Sequence, residues 1–520
     1  MPLKLLPFDN KNELQILIDL PEGSTLEQTA GITKKAAAIA RQLPEVEALA
    51  SFVGVPSPMD FNGMVRHYYQ RQLPHLADIR LTLADKSQRE HQSHAVLIRL
   101  RKMLQSLNRD GVLLRVIEVP PGPPVLSTVA VELYGDTLTA YEQQRQAAET
   151  VMQRLRQEPF VVEVDSSVES DQKRWRFVAD KEKAALAGIS TEEIAFNMGI
   201  ANHGFVPGFF NLQRETNPVP IVLRLPKAQR ANQQDLETLP LKSRTARTAP
   251  AMMALGELGE FIENTADKAI YHKDLRPVVY VTAELEGRTP PEVVLDVKAD
   301  LNADDPQPRD WQSRTFFDSD GGIAWQLPEN IQAVWDGEGE WKITIRVFRD
   351  MGIAFALIAI FFVLRLQTGS STLAGIIMLS IPLTFIGIMP GFWLLNQFGE
   401  RFIGNSPDPV LFTATAMIGM IALAGIVIRN SLILIEFITH ARETGMPLHD
   451  ALLQAGAIRM RPVLLTAGTT LLSNLVITLD PVFSGLAIAI IFGIIASTLF
   501  TLVVIPVVYY LIYSPREASL

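Results

Sequence analysis

The chain has 520 residues, with 47 Lys or Arg against 56 Asp or Glu and a formal net charge of −9. An acidic balance argues against nucleic-acid binding, which needs clustered Lys and Arg. The absence of cysteine excludes disulfides, thiolate metal sites and cysteine nucleophiles. Residues 351–520 contain seven Arg, seven acidic residues and no Lys, so the whole net charge belongs to residues 1–350.

Residues 1–340 repeat one pattern: a strand, a long helix and a second strand. The first copy has an alternating strand at 13–20, a turn at 21–23, a helix capped by Ser24 or Thr25, and a strand at 46–53. The same signals predict three more copies, the last of them broken: 78–83, 91–107 and 112–119; 128–135, 137–157 and 160–165; 277–285, 290–303 and 330–336. Paired units of this kind predict split β-α-β sandwiches of the ferredoxin-like type.

Two further segments interrupt this repeat. Residues 121–124 (PGPP) predict a stiff linker between the two sandwiches. Residues 170–272 separate the third copy from the fourth and contain their own helix at 190–200 and strand at 218–225. We therefore expect this segment to be an inserted subdomain.

A Pro- and Gly-containing loop at 52–69 is rich in aromatic residues and Met. Its aromatic side chains are candidates for an adaptable apolar substrate pocket, with a plain structural loop as the alternative: Phe52, Phe61, Tyr68 and Tyr69. His91 and His94 are three residues apart on a predicted helix, but no other metal ligands accompany them, so a solvated helical face is expected.

The C-terminal third predicts membrane spans. Its uncharged stretches each supply about the 20 residues that cross a hydrocarbon core: 366–399, 409–428, 462–479 and 481–515. A shorter stretch at 351–364 is a fifth candidate if its helix extends upstream. The loop at 440–461 and the C-terminal tail hold most of the flanking Arg, which favours placing both in the cytoplasm. Residues 1–340 would then lie outside the cytoplasm, although residues 1–25 contain no signal peptide. The simplest interpretation is that a preceding span belongs to a missing part of the protein.

Polar residues inside these spans are candidates for energy coupling. Arg429 and Asn430 lie within an apolar stretch, and a cation at that depth normally faces the bundle interior and a carboxylate. Glu436 lies seven residues further, near the same helical face. The alternative is that Arg429 reaches the inner interface.

A polar stripe follows on the next predicted helix, which we expect to begin at Arg459. Arg459 and Thr466 share one face, and Thr470, Ser473 and Asn474 continue it. The stripe predicts a wet contact with a neighbouring helix, or else ordinary Ser/Thr hydrogen bonding between packed helices. Arg461 is expected at the cytoplasmic boundary.

The spans lack a residue that could carry a proton. Arginine stays protonated, and the acids near the spans are Glu436, at the end of a span, and Asp480, in a tight turn outside the cytoplasm. The titrating acid must therefore come from another part of the protein. The sequence has no GxSxG, P-loop or HExxH motif, so no enzymatic function is predicted.

Four segments resemble acriflavine-resistance-type permeases of the resistance–nodulation–division superfamily: LPFDNKNELQILIDLPEGSTLEQTA, VPPGPPVLSTVAVELYG, IRNSLILIEF and RMRPVLLTAG. The resemblance covers nearly the whole chain, as the C-terminal half of a permease about twice as long. It implies an α+β membrane protein with these parts: a ferredoxin-like porter subdomain at 1–120, a second one at 121–169 and 273–340, a docking insert at 170–272, and a transmembrane bundle of about five helices at 341–515.

The resemblance also implies a cellular location, an oligomeric state and partner proteins. Such permeases are homotrimers of the Gram-negative inner membrane, joined to a periplasmic adaptor and an outer-membrane channel, and they use a proton gradient rather than a cofactor. Their relay pairs two aspartates of the first half with a basic residue, an arginine and a threonine, which by motif position correspond to Arg429, Arg459 and Thr466. The basic residue is usually Lys in drug exporters. Arg429 would therefore act as a fixed cation, not a proton carrier.

Three functions remain open at this stage. The first is proton-driven export of amphiphilic compounds by an assembly of this chain with the missing half. The second is soft-metal export, for which Met59 and Met64 would have to converge with other ligands. The third is a non-transporting remnant or scaffold that displays a periplasmic domain.

Overall fold

The computed structural model of the chain divides into two compact units: Met1–Val168 with Ala269–Leu520, and Glu169–Lys268. The structure describes these residues: 3–122, 124–136, 141–244, 252–304, 307–315, 318–350, 353–398, 401–403 and 406–517.

The first sandwich follows the predicted repeat closely. Its elements, in chain order, are β1 Glu13–Asp19, α1 Leu26–Ala40, β2 Val46–Val53, α2 Phe61–Val65, β3 Leu76–Leu83, α3 Ser93–Leu104 and β4 Leu113–Glu118. The strands are antiparallel in the order β2-β3-β1-β4, which is the split β-α-β topology. Gly23 turns the chain with φ +88°, and Thr25 then begins α1 with a capping box to Gln28.

The second sandwich begins with β5 Val129–Gly135, α4 Tyr141–Gln157 and β6 Val161–Ser166. The chain then forms the separate unit, whose elements are β7 Lys173–Ala179, α5 Lys181–Leu186, α6 Thr191–Asn202, β8 Phe205–Phe210, β9 Val219–Leu223, α7 Gln233–Glu237, β10 Pro240–Lys242, β11 Met252–Ala254 and β12 Gly259–Thr265. It returns with β13 Tyr271–Lys273, β14 Arg276–Leu285, α8 Pro290–Ala299 and β15 Ile331–Val334.

The second sandwich has the same strand order as the first. Its order is β6-β14-β5-β15, all antiparallel, and β13 adds a short hairpin to β14. Each sandwich has its own apolar core. Ile16, Ile79 and Leu100 are fully buried in the first, and Val131 and Val281 in the second.

The unit 169–268 consists of small two-stranded sheets. β7 pairs with β12, β8 with β9 and β10 with β11, all antiparallel. Leu255 and Leu258 are buried at the centre of a small apolar core next to α6. The β8–β9 hairpin, in contrast, leaves much of its apolar surface exposed, including Phe209 and Phe210.

The C-terminal part is helical. Its elements are α9 Glu340–Asp350, α10 Ile353–Thr368, α11 Ser371–Met378, α12 Ser380–Phe398, the short strands β16 Arg401–Ile403 and β17 Ser406–Asp408, α13 Ala414–Glu443, α14 Leu448–Ile477 and α15 Ser484–Glu517. Four described helical stretches are long and apolar enough to span a membrane: Ser371–Phe398, Ala414–Glu443, Leu448–Ile477 and Ser484–Ser514. The expected fifth span corresponds to α10, whose apolar stretch Ala356–Thr368 is short.

The prediction that a helix begins at Arg459 was wrong. α14 already begins at Leu448, and Pro462 lies inside it. A 30-residue helix is about 45 Å long, more than the hydrocarbon thickness, so its polar first turns can extend beyond a membrane. Arg459 and Arg461 therefore lie in a helix and not in a loop. They consequently give less support to the prediction that residues 440–461 are a cytoplasmic loop.

α14 is the least enclosed of the four long helices. It packs against α15 and α13, yet only 11% of its most apolar 18 residues are buried, against 39–50% in the other three. Much of its surface is thus free to contact lipid or another polypeptide.

Candidate coupling site in the membrane helices

Arg429 lies on an exposed face of α13. The exposed positions recur at helical spacing along this face: Ile418, Ala422, Gly425, Arg429 and Glu436. The opposite face is buried, with Val427 and Leu434 in the apolar clusters of the bundle. Gly425 and Ala422 lie one and two turns before Arg429. Their small size leaves room for another helix to pack closely on this face.

Arg429 makes no ion pair within the part of the chain that the structure describes. Glu436, expected near the same face, instead accepts a 3.4 Å hydrogen bond from Gln367 Nε2 of α10. Asn430 is half-buried next to Arg429. The cation is therefore presented on an open helix face without a carboxylate from the described residues.

Arg459 joins α14 to α13 by a different contact. Its guanidinium carbon lies 5.5 Å from the centre of the Phe437 ring, which is within cation–π range. Its Nε is buried and has no hydrogen-bond partner among the described residues. A buried N–H group without an acceptor destabilises the structure unless an acceptor from elsewhere binds it.

The polar stripe of α14 is directed mainly to its own helix. Thr466 Oγ1 donates to the Val463 carbonyl at 2.9 Å, and Thr470 Oγ1 donates to the Thr466 carbonyl at 2.8 Å. Ser473 similarly donates to the Thr470 carbonyl at 2.9 Å. Thr466 and Ser473 are exposed, so their hydroxyl oxygens can also accept from outside the chain.

Asn474 is the buried member of the stripe. Its side chain is 7% exposed, and its Nδ2 donates to the Thr470 carbonyl at 2.8 Å. The structure thus places the predicted polar residues on two adjacent helices. Across the described residues, however, no hydrogen bond joins Arg429 or Asn430 to Arg459 or Thr466.

The four aromatic candidates of the 52–69 loop differ in their exposure. Phe52 and Tyr68 are half-buried, whereas Phe61 is 61% and Tyr69 40% exposed. The loop is fastened by Asp60, which caps α2 and pairs with Arg80 at 2.6 Å.

A cleft between the two sandwiches lies near these elements. Its empty space, open mouth included, is about 900 Å³, and its described lining has Phe8, His94 and Glu118 but none of the four aromatic candidates. His94 is 8% exposed and lies 3.0 Å from Glu118, so the prediction that it occupies a solvated face was wrong. The described residues contain no group of three or more His, Cys, Asp or Glu that could hold a metal ion.

The profile of the AcrB/AcrD/AcrF family matches residues 1–513. The chain belongs to this family. The resemblance read from the four sequence segments is thereby confirmed.

Several relatives and solved structures support this assignment. The chain is 23% identical over 393 residues to the swarming motility protein SwrC of Bacillus subtilis (strain 168), covering 74% of this chain and 33% of SwrC. It is 25% identical to the cobalt-zinc-cadmium resistance protein CzcA and 26% identical to the nickel and cobalt resistance protein CnrA, both of Cupriavidus metallidurans, covering 76% of this chain and 34% of each relative.

The fold is that of a solved heavy metal efflux pump. The TM-score is 0.75 at 19% identity, and the match covers 99% of this chain and 49% of the pump chain. The chain therefore spans about half the length of that family member.

Sequence reasoning missed the charged contacts between the sandwiches. Arg66, Arg101 and Arg115 of the first sandwich pair with acids of the second. The available signal was charged residues within otherwise apolar strands, such as Arg115 in LLRVIE and Glu163 in VVEVDS.

Proposed function

We propose that this chain is the C-terminal part of an inner-membrane proton/substrate antiporter of the efflux type. The observation that carries the proposal is the position of Arg429: an exposed cation within an apolar stretch of α13, with no carboxylate partner among the described residues. A guanidinium at membrane depth costs at least about 2.5 kcal/mol. A helix carrying aspartates, supplied by another part of the protein, would compensate this cost.

Arg429 then serves as a fixed charge. Because its side chain stays protonated, proton entry would act on the partner aspartates, weaken their ion pairs with Arg429 and change how the helices pack. Arg459 and Thr466, on the adjacent α14, would complete the relay, with Asn430, Thr470, Ser473 and Asn474 as neighbouring polar groups. The buried, unpartnered Nε of Arg459 supports a partner from outside the described residues.

The assembly is part of the same proposal. Residues 1–340 would be periplasmic, with the two sandwiches as porter subdomains and the unit 169–268 as the docking subdomain. The complete permease would form a homotrimer that works with a periplasmic adaptor and an outer-membrane channel, without a cofactor.

Amphiphilic compounds are the substrate class we favour. A soft-metal site needs several converging ligands. No methionine is among the described residues lining the cleft, and Met59 and Met64 are 64% and 45% exposed. The cleft instead offers both apolar and charged groups, which suits molecules of mixed polarity.

Metal export is the second candidate. It is favoured by the names of relatives such as CzcA and CnrA, which are resistance proteins for cobalt, zinc, cadmium and nickel. On this alternative, the ligands would be completed by the part of the permease outside this chain. A non-transporting remnant is a third possibility, to be distinguished by whether an adjacent reading frame supplies the other half.

The test uses a pump-deficient strain that produces the chain together with the aspartate-bearing part of the permease that the proposal requires. Efflux of a fluorescent amphiphilic dye and accumulation of Co²⁺ and Zn²⁺ are measured under an imposed proton gradient. Arg429→Ala and Thr466→Ala should abolish export while the trimer remains, and Arg461→Ala is the matched control with export retained. Retained export in the Arg429 and Thr466 variants would overturn the coupling assignment, and export of metal alone would favour the second candidate.

A further inference from the structure

Six charged side chains form one buried cluster inside the second sandwich. We refer to it as the ionic cluster, and its members are Arg154, Glu158, Arg288, Asp296, Asp300 and Arg314. Each of these side chains is between 0% and 5% exposed. Arg288 Nη1 and Arg314 Nη1 both lie 2.6 Å from Glu158 Oε1. Arg288 Nη2 lies 2.6 Å from Asp296 Oδ2. Three arginines thus balance three acids in a region that is largely removed from water.

The ionic cluster joins two parts of the chain that the insert separates. Arg154 and Glu158 come before the unit 169–268, and the other four members follow it. Arg154 Nη2 donates to Asp300 across 146 positions of the sequence, and Arg314 Nη1 donates to Glu158 across 156. Among the described residues, Arg154 is the arginine that pairs with Asp300, and no other does. Neither part of the chain therefore compensates its buried charges fully without the other.

Stability alone does not account for such a cluster. Desolvation of buried charges offsets much of their attraction, and replacement of a buried ion pair by apolar side chains of similar volume is often neutral or stabilising. Loss of one partner alone is strongly destabilising, because the remaining charge stays buried and uncompensated. A buried ionic network therefore separates a right partner from a wrong one more sharply than an apolar contact does.

The first sandwich offers such a wrong partner. The strand orders β2-β3-β1-β4 and β6-β14-β5-β15 place the β-α-β units of the two sandwiches in the same way. Only residues 119–128 separate the unit β5-α4-β6 from the preceding unit β3-α3-β4, whereas residues 167–275 separate it from its native partner β14-α8-β15. Contacts between segments that are close in sequence form faster. Pairing of the wrong units consequently competes with native pairing during folding.

The helices of the two sandwiches differ in the charge of their buried faces. Among their described residues, α1 and α3 bury no Arg, Lys, Asp or Glu, whereas α4 buries Arg154 and α8 buries Asp296. The other helix residues in the two cores are similar and are mostly Ala, Val and Leu. Packing of α4 against α1 or α3 would therefore leave the guanidinium of Arg154 among apolar side chains without a carboxylate, although the apolar contacts would fit.

We propose that the ionic cluster selects the pairing of the β-α-β units: it directs β5-α4-β6 to β14-α8-β15 and disfavours its pairing with the units of the first sandwich. The segment after α8 completes the cluster, because the amides of Gly321 and Gly322 donate to Asp300 at 3.0 Å. A Cβ at Gly321 would lie 2.6 Å from Arg154 Nη2, so this close approach requires glycine. The inference concerns folding and does not depend on the proposed transport function.

The test traps native and exchanged pairings as disulfides while the full chain refolds in lipid bicelles. The chain contains no cysteine, so the introduced cysteines are its only ones. Val161 of β6 lies opposite Leu285 of β14, and the variant Val161→Cys/Leu285→Cys therefore reports native pairing. At the equivalent position of the first sandwich, Val46 of β2 lies opposite Leu83 of β3. The variant Val161→Cys/Leu83→Cys therefore reports the exchanged pairing of β6 with β3.

Replacement of the whole ionic cluster by uncharged side chains of similar size should favour the exchanged disulfide. The six-residue variant is Arg154→Met/Glu158→Leu/Arg288→Met/Asp296→Leu/Asp300→Asn/Arg314→Met. We expect its ratio of exchanged to native disulfide to rise at least ~10-fold over the parent ratio, because no buried charge penalises the wrong pairing. The milder variant Arg154→Met/Asp300→Asn, in which Asn keeps an acceptor for the Gly321 amide, should give a smaller rise.

An exposed ion pair on the same helix supplies the matched control. Arg156 and Glu149 are 51% and 50% exposed, and Arg156→Met/Glu149→Leu should leave the disulfide ratio unchanged. The urea midpoint of each variant, followed by Trp fluorescence, measures stability separately. If the six-residue variant does not refold, the two-residue variant decides. An unchanged ratio in the cluster variants, an equal rise in the control, or a lowered midpoint without exchanged disulfide would overturn the proposal.

Discussion

The guanidinium carbon of Arg459 lies 5.5 Å from the centroid of the Phe437 ring, so α14 is joined to α13 by a cation–π contact and not by an ion pair. In an apolar surrounding this contact stabilises the cation without supplying a negative charge. Arg459 and Arg429 are thus held on neighbouring helices with their charge uncompensated by the described residues.

Replacing Phe437 should loosen the α13–α14 pair. We expect Phe437→Leu to lower the free energy of unfolding in mild detergent by about 0.5–2 kcal/mol, because the ring face is lost and apolar volume is largely kept. Phe362→Leu, at a side chain 60% exposed on α10, is the control and should have little effect. Equal losses in both variants would show that the Phe437 ring has no special contact with Arg459.

A buried ionic cluster should dominate the stability of the second sandwich. Arg154 is 1% exposed and contacts Glu158 at 2.9 Å, whereas Arg156, two residues further on the same helix, forms a half-exposed pair with Glu149. Arg154→Ala should cost about 3–5 kcal/mol because it leaves buried acids unpaired. Arg156→Ala should cost about 0–1 kcal/mol.

Urea unfolding of the full chain, followed by Trp fluorescence, measures this difference. Trp325 and Trp335 are buried in the core of the second sandwich and report on it directly. Similar unfolding midpoints for the two variants would contradict the assigned role of Arg154.

Substitutions at two glycines test how closely α12 packs on α15. A Cβ at Gly391 would lie 2.3 Å from Phe492 Cγ, whereas a Cβ at Gly375 meets nothing within 4 Å. Gly391→Ala should destabilise the bundle by about 1–3 kcal/mol through overpacking, and Gly375→Ala should be neutral or slightly stabilising, since Ala favours helix. Thermal unfolding of both variants in detergent checks the contrast. A neutral Gly391→Ala would mean that α12 and α15 are further apart than the structure shows.

Local periodicity determined how much of the fold could be predicted. The strand expected at 277–285 is observed at Arg276–Leu285, where buried positions alternate with less buried ones. The start of α14 could not be found in this way: residues 448–458 mix apolar with polar side chains and follow Gly445 and Pro447, which are typical of a loop, although these residues form helix.

The candidate sites also differ in how well they can be predicted from the sequence. Arg429 could be selected from the sequence because a charge within an apolar span is conspicuous. The ion pairs between the sandwiches could not, since Arg66 and Glu284 are 218 positions apart and their contact depends on how the two sandwiches meet. The direction of Glu163 depends on a strand irregularity that composition does not indicate.

The surroundings of Arg429 in the assembled permease test the central claim most directly. An electron cryomicroscopy structure of the complete assembly in nanodiscs gives the distance from the Arg429 guanidinium to the nearest carboxylate. We predict an aspartate from outside this chain within about 4 Å, on a helix that also contacts the face of α14 bearing Thr466. A structure in which Arg429 contacts lipid headgroups or open water, away from any such helix, would contradict the account.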